Sequence, residues 1–261
     1  MKNHLRKNHW ALVAAWLLLA CAGWGQSNEK IKTVLDRALE AMGGPAFLQV
    51  KDYSAVGRFY ALKEDVEGWA EFSDQTRLPG KTRQQTGKKG DAEVTLYDLD
   101  AGKGWFVYGG TEIKPAKPEQ MERFKKGARR DYNNLFRSRL QETGFSIHYY
   151  GSDILDGRRP VQILEMIDAE NDTILAYFDD NTGLPFRLEY QDTLPNGRRV
   201  RVWDEFYNWH VIEGVNTPMR QDRLHNGQPA SQVFLTGIRY NVGLADSLFA
   251  EPVPPPPKKK K

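Results

Sequence analysis

The chain has 261 residues, 40% of them hydrophobic and 27% charged, with a formal net charge of +3 at pH 7. The positive excess sits in Lys2, Arg6 and Lys7 at the start and Lys258–Lys261 at the end, so the body between them is mildly acidic and gives no electrostatic case for nucleic-acid binding. Cys21 is the only cysteine, which excludes an internal disulfide, thiolate metal sites and thiol catalysis in that body.

Residues 1–22 read as a signal peptide. The three basic residues form its n-region, and the apolar run Trp10–Ala20 is too short to cross a membrane as a mature helix. Cleavage after Ala22, cleavage after Gly25, or lipidation of Cys21 in Leu18-Leu19-Ala20-Cys21 are all open, with an uncleaved anchor as the remaining alternative, and either cleavage or lipidation exports the chain. Export places it in the periplasm, free or anchored to the outer membrane through Cys21. Residues 26–252 fit one domain, because β-sandwiches and barrels of this length are commonly undivided.

The mature region opens with an amphipathic helix. Asn28 is placed to cap it, Ile31, Val34, Leu35, Ala38, Leu39 and Met42 recur at helical spacing, and Gly43-Gly44-Pro45 stops it. Short runs rich in β-branched and aromatic residues follow: Tyr53–Tyr60, Gly68–Ser73, Thr82–Thr86, Glu93–Asp98 and Gly104–Tyr108. A second helix is expected over Glu119–Thr143, with Pro118 in its first turn. Its apolar stripe is Met121, Phe124, Ala128, Tyr132, Leu135, Phe136 and Leu140, and Gly127 weakens its middle. Arg123, Lys126, Arg130 and Arg137 form the opposite face, expected to point outward. Strands then resume at Phe145–Tyr150, Pro160–Asp168, Thr173–Asp179, Pro185–Asp192, Arg198–Trp209, Thr217–Leu224 and Ser231–Tyr240. Residues 253–261, Pro- and Lys-rich, read as an extended, disordered tail.

Short connections between successive strands require antiparallel pairing. Several strands are apolar on both faces: Ile174, Ala176 and Phe178 oppose Leu175 and Tyr177, and Trp105 and Val107 oppose Phe106 and Tyr108. Two apolar faces need two covers. The expected fold is therefore α+β: a curled antiparallel sheet of about 11–12 strands forming an incomplete barrel, covered or plugged by two amphipathic helices. Such a sheet can enclose an apolar pocket or a filled core, and the pattern leaves both open. If a pocket is present, Trp105, Val107, Met121, Phe124, Leu135 and Phe136 are its expected lining.

The stretch "FDDNTGLPFRLEY" is the most site-like segment. A calcium loop starting at Asp179 would need Gly at position six and Glu at twelve, where Leu184 and Tyr190 stand. Neighbouring carboxylates on a strand point to opposite faces, unlike a glycosidase pair. Asp180-Asn181-Thr182-Gly183 instead suits a turn closed by a left-handed glycine. Outside the leader, His148, His210 and His225 show no metal-ligand spacing, no serine sits in a nucleophile elbow, and no phosphate-binding glycine motif occurs. The reading is of a non-enzymatic protein without metal or cofactor.

The helix ending in "ALEAMGG", then "YFDDNTGLPFRLEY", "WDEFYNWHVIEGVNTPMRQDRLHNGQ" and "LFAEP" resemble the LolA/LolB-like, outer-membrane lipoprotein-sorting type of secreted protein. The resemblance implies an incomplete barrel wrapped around helices, whose apolar concavity holds acyl chains of lipoproteins or another lipid-like ligand. It implies a carrier, and it transfers no ligand-contact residue to this sequence. The alternative is an exported protein-interaction module without a ligand cavity. In either case Lys258–Lys261 can meet an anionic envelope surface.

Overall fold

A computed structural model describes residues 27–63, 66–87 and 92–253. The leader with Cys21 and the Lys258–Lys261 cluster lie outside the described residues.

The chain begins with helix α1 (residues 27–41) and the single turn α2 (Pro45–Leu48). Six strands follow: β1 (Asp52–Lys63), β2 (Val66–Arg77), β3 (Lys81–Thr86), β4 (Glu93–Asp98), β5 (Lys103–Tyr108) and β6 (Glu112–Pro115). Helices α3 (Pro118–Arg130) and α4 (Tyr132–Arg137) come next. The last seven strands are β7 (Ser146–Leu155), β8 (Arg159–Ile167), β9 (Thr173–Asp179), β10 (Pro185–Thr193), β11 (Arg199–Ile212), β12 (Val215–His225) and β13 (Gln228–Tyr240). All thirteen form one antiparallel sheet in the order β6-β5-β4-β3-β2-β1-β13-β12-β11-β10-β9-β8-β7. Two meanders are thus joined by a single seam, where β1 pairs with β13 and Tyr53 stands opposite Tyr240. β6 and β7 are the free edges, so the sheet curls without closing, and the α3–α4 segment crosses between them.

α1 is already helical at residue 27, so Asn28 lies inside it rather than capping it. The long second helix is two helices. Asp131 is extended (φ −63°, ψ 134°), and its carboxylate accepts from the Asn133 N–H at 2.9 Å, ending α3 and capping α4. The apolar spacing continues in phase across the break, which is why periodicity alone runs the two together. The basic face is also not uniformly outward. Arg130 is 4% exposed, pairs with Asp172 and lies over the Tyr190 ring, while Arg137 lies over Phe47 and donates to its carbonyl at 2.7 Å. Arg123 and Lys126 do face solvent.

The main core fills the concave side of β8–β13. Val34 and Ala38 of α1, Met42 in the turn after it, Phe47 of α2 and Leu135 and Phe136 of α4 pack on Leu164, Met166, Ile174, Phe178 and Leu188. The Phe136 and Phe178 rings meet edge-on at 5.6 Å. A buried ionic joint fastens the end of α3 and the turn after α4 to the β8–β9 turn: Asp168 accepts from Arg129 at 2.9 Å and from Arg139 at 2.8 Å. The acid cluster of the sequence is a turn. Asp179 accepts from the N–H groups of Asn181 and Thr182 and pairs with Arg159, Gly183 has φ 77°, and Asp180 meets Arg37 of α1 at 3.5 Å. Among the described residues no helix is long and apolar enough to cross a membrane, and no group of three His, Cys, Asp or Glu is placed to hold a metal.

Candidate functional site: a groove under the open half of the sheet

The other half of the concavity, beneath β1–β5, is not filled by the core helices. Alternation along β1 turns Tyr53, Ala55 and Phe59 inward, and along β2 it turns Phe72, Asp74 and Thr76 inward. Two depressions result. One, of about 600 Å³, lies between this sheet surface and α3. The other, of about 390 Å³, lies toward β12 and β13 beside the start of α4. Tyr53, Asp74, Gln84 and Asp131 line both, so the two form one groove with a polar waist. The second lobe is mostly apolar, walled by Phe59, Phe72, Val233, Leu235 and Ile238. Phe59 is 39% exposed although it faces inward, which leaves its ring as available surface.

α3 roofs the first lobe. Phe124 stacks on Tyr97 with ring centroids 4.0 Å apart and planes 10° apart. Gly104 of β5 lets the helix approach: a Cβ there would stand 2.8 Å from the Met121 sulfur and 2.7 Å from the Tyr97 ring. Both Met121 and Phe124 are only half-buried.

Of the six residues expected to line a pocket, only these two belong to the groove and its roof. Leu135 and Phe136 are 0% and 1% exposed in the main core. Trp105 and Val107 pack with Leu96 in a separate cluster, because β5 turns Gly104 and Phe106 toward α3 and therefore Trp105 and Val107 away. Sequence reasoning missed Tyr53, Phe59, Phe72 and Asp74. The available signal was one acid between Phe72 and Thr76 on the inward face of an otherwise ordinary strand.

The waist is electrostatically unlike the rest of the protein. Asp74 accepts from the hydroxyls of Thr76 at 3.1 Å and Thr82 at 2.9 Å. Even so, desolvation in the concavity, with a smaller push from Asp131, raises it to about 6. Asp131 is raised as well, by desolvation that outweighs its bonds to Asn133 and Asn134. Burial raises the Tyr53 phenol well above its usual range. Asp168 is the opposite case. Burial raises it too, but bonds from Arg129, Arg139 and two backbone N–H groups bring it down to about 2. The groove thus combines apolar walls with two acids that make no ion pair among the described residues, although the nearby Arg137 draws Asp131 partway down, an arrangement suited to binding.

No family model matches the chain, and no curated protein matches it in sequence. Solved structures do match. A DUF1329 family protein from Desulfovibrio piger superposes with a TM-score of 0.55 at 12% identity, covering 84% of this chain and 96% of its own. A LolA superfamily protein from Nitrosomonas europaea gives 0.54 at 13%, covering 84% and 97%. The fold is LolA-like. A putative outer membrane lipoprotein-sorting protein domain from Vibrio parahaemolyticus agrees, with a TM-score of 0.50 at 12% identity over 82% of this chain and 95% of that one. At these identities the likeness concerns the fold. In this chain the LolA-like sheet has thirteen strands among the described residues, and its concavity divides into a filled half and an open half.

Proposed function

We propose that the protein is a non-enzymatic carrier or binder of a hydrophobic ligand, lipoprotein acyl chains or a lipid, held in the groove beneath β1–β5 and β13. One observation carries this reading: the inward-facing Phe59 stays exposed, and Phe72, Val233 and Leu235 beside it stay only part-buried, in a concavity that the core helices leave unfilled. The LolA-like fold supports it, since the Vibrio parahaemolyticus and Nitrosomonas europaea structures are described as lipoprotein-sorting and LolA superfamily proteins. α3 is the movable cover in this reading. It is half-buried where it meets the groove, and its Gly127 lowers its stability by about 1 kcal/mol relative to Ala.

The same reading places the protein in the envelope. Residues 1–22 export it, Cys21 is its lipidation site if the lipobox is used, and Lys258–Lys261 approach anionic surfaces at about 1 kcal/mol per lysine near the membrane. Native mass spectrometry of protein purified from its host envelope tests the proposal. A co-purifying lipid or acylated peptide is expected; delipidated protein that takes up neither lipid nor hydrophobic dye would refute it.

A second reading has its own observation. On the convex face Trp69 and Val56 are 58% and 46% exposed, with Arg58 lying over the Trp69 ring, a surface that suits a protein partner. Pull-down of an envelope protein that is lost in Trp69→Ala, with no lipid bound, would favour this interaction module over the carrier.

A further inference from the structure

Two of the four polar groups at the waist of the groove, Asp74 and Asp131, are carboxylates that only accept, while Tyr53 and Gln84 also carry neutral donors. Asp74 takes both threonine hydroxyl bonds on the same oxygen, Oδ1, and Asp131 accepts on Oδ1 from a backbone N–H. Asn134 lines the lobe beneath α3 and is 6% exposed. Its Nδ2 donates to the carbonyls of Pro79 and Ala128, both at 2.9 Å, which fixes the orientation of the amide. Its Oδ1 then has no hydrogen-bond partner among the described residues. A buried acceptor without a donor is unfavourable, and it adds to the excess of acceptors behind the waist.

Cations lining the same lobe do not supply those donors, and Arg137, which lies outside the lining and draws Asp131 down, donates to the Phe47 carbonyl and Asn133 Oδ1 and keeps its Nη2 without a partner among the described residues. Arg223 is held by both oxygens of Asp204, at 2.6 and 2.8 Å. Lys81 pairs with Asp98 at 3.1 Å. Arg123 stands solvent-exposed on α3. Two carboxylates and an orphan amide oxygen therefore sit beside an apolar lobe walled by Phe59, Val233 and Leu235. A bare hydrocarbon would desolvate these acceptors with no return, and a fatty acid would add a third carboxylate to two.

Resting on the groove as a hydrophobic-ligand site, we propose that its preferred ligand is a cationic amphiphile: a hydrocarbon chain bearing a protonated amine, with the tail in the Phe59 lobe and the ammonium at Asp74 and Asp131. An ammonium offers three N–H donors and a positive charge, which the two acceptor-only carboxylates can take up. The polar waist thus sets both the class of ligand and its direction in the groove.

Isothermal titration of the purified protein at neutral pH with dodecylamine, dodecanol and dodecanoate, which share one tail, tests this. The amine should bind at least about tenfold more tightly than the alcohol, and the carboxylate most weakly. Asp74→Asn, and Asp131→Asn, which keeps a good helix cap, should each remove about tenfold from amine affinity and leave dodecanol unchanged. Dodecanol binding with no gain for the amine would overturn the inference and leave the groove reading standing. A preference for dodecanoate would also overturn it and assign the head group to Arg123. If none of the three binds, the groove reading fails and the inference with it. The ranking of the three ligands on the parent protein decides the matter even if a variant does not fold.

Discussion

The two halves of the sheet are built from similar strands and covered in different ways. β8–β13 carry α1, α2 and α4 on their concave side, and side chains such as Leu135, Leu164 and Phe136 are within 1% of full burial. β1–β5 carry only the half-buried α3, and the space between is a groove. Their acids differ in the same sense. Asp168, between Arg129 and Arg139, is held down to about 2, whereas Asp74, with two hydroxyls, rises to about 6. A binding concavity here arises from withholding a filler and, among the described residues, a directly bonded cation in one half, while the other half carries the filled core.

The largest test of this contrast is Phe136→Ala. Removing a fully buried Phe should cost about 3–5 kcal/mol in denaturant unfolding. Phe124→Ala, on the open side, should cost well under half of that and should reduce hydrophobic-dye uptake; equal losses at the two positions would erase the distinction.

The acids give the next test, with opposite signs. Asp168 falls from 3.8 unfolded to about 2 folded, so its stabilisation is present above about pH 4 and is lost as pH falls toward 2. The shift corresponds to about 2–3 kcal/mol, which Asp168→Asn should abolish. Asp74 rises from 3.8 to about 6, so the folded state holds the proton longer and the cost of its charge develops as pH climbs from about 4 to above 6. Asp74→Asn should therefore stabilise the protein near neutral pH by at most about 3 kcal/mol, less as water in the groove screens the charge, and by little below pH 4. Unfolding free energies of both variants across pH 3–8 would show whether the curves diverge on opposite sides.

The smallest effect is expected at Gly127 on α3. A Cβ there meets nothing within 4 Å, so Gly127→Ala should stabilise the helix by up to about 1 kcal/mol and slow ligand exchange if the helix must lift. Faster or unchanged dye release would detach the helix from gating.

Much of the fold is legible in the sequence. β4 and β9 have the expected limits, and most other strands extend theirs by a few residues, because alternation and turn glycines are local signals. β6 was not legible: four residues ending in Pro115 carry no run to read. Nor was the break at Asp131, whose capping bond depends on a backbone angle rather than on composition. The site was hardest. In β5 both faces are aromatic or branched, so Trp105 and Val107 look as fit to line a pocket as Phe106, and only the curl of the sheet decides which face is inside. Asp74 gave little warning, since its character comes from the helix and strands that surround it.

The seam between β1 and β13 sets an order of assembly. Tyr53–Ala61 find their partners at Ser231–Tyr240, with nearly the whole remaining chain between them. Until β13 has emerged and docked, β1 presents a long unpaired edge with Val56 and Phe59 on its two faces, the kind of surface on which chains aggregate. Contacts this distant close slowly. The groove, which needs residues from both sides of the seam, therefore cannot be complete until its final strand has docked.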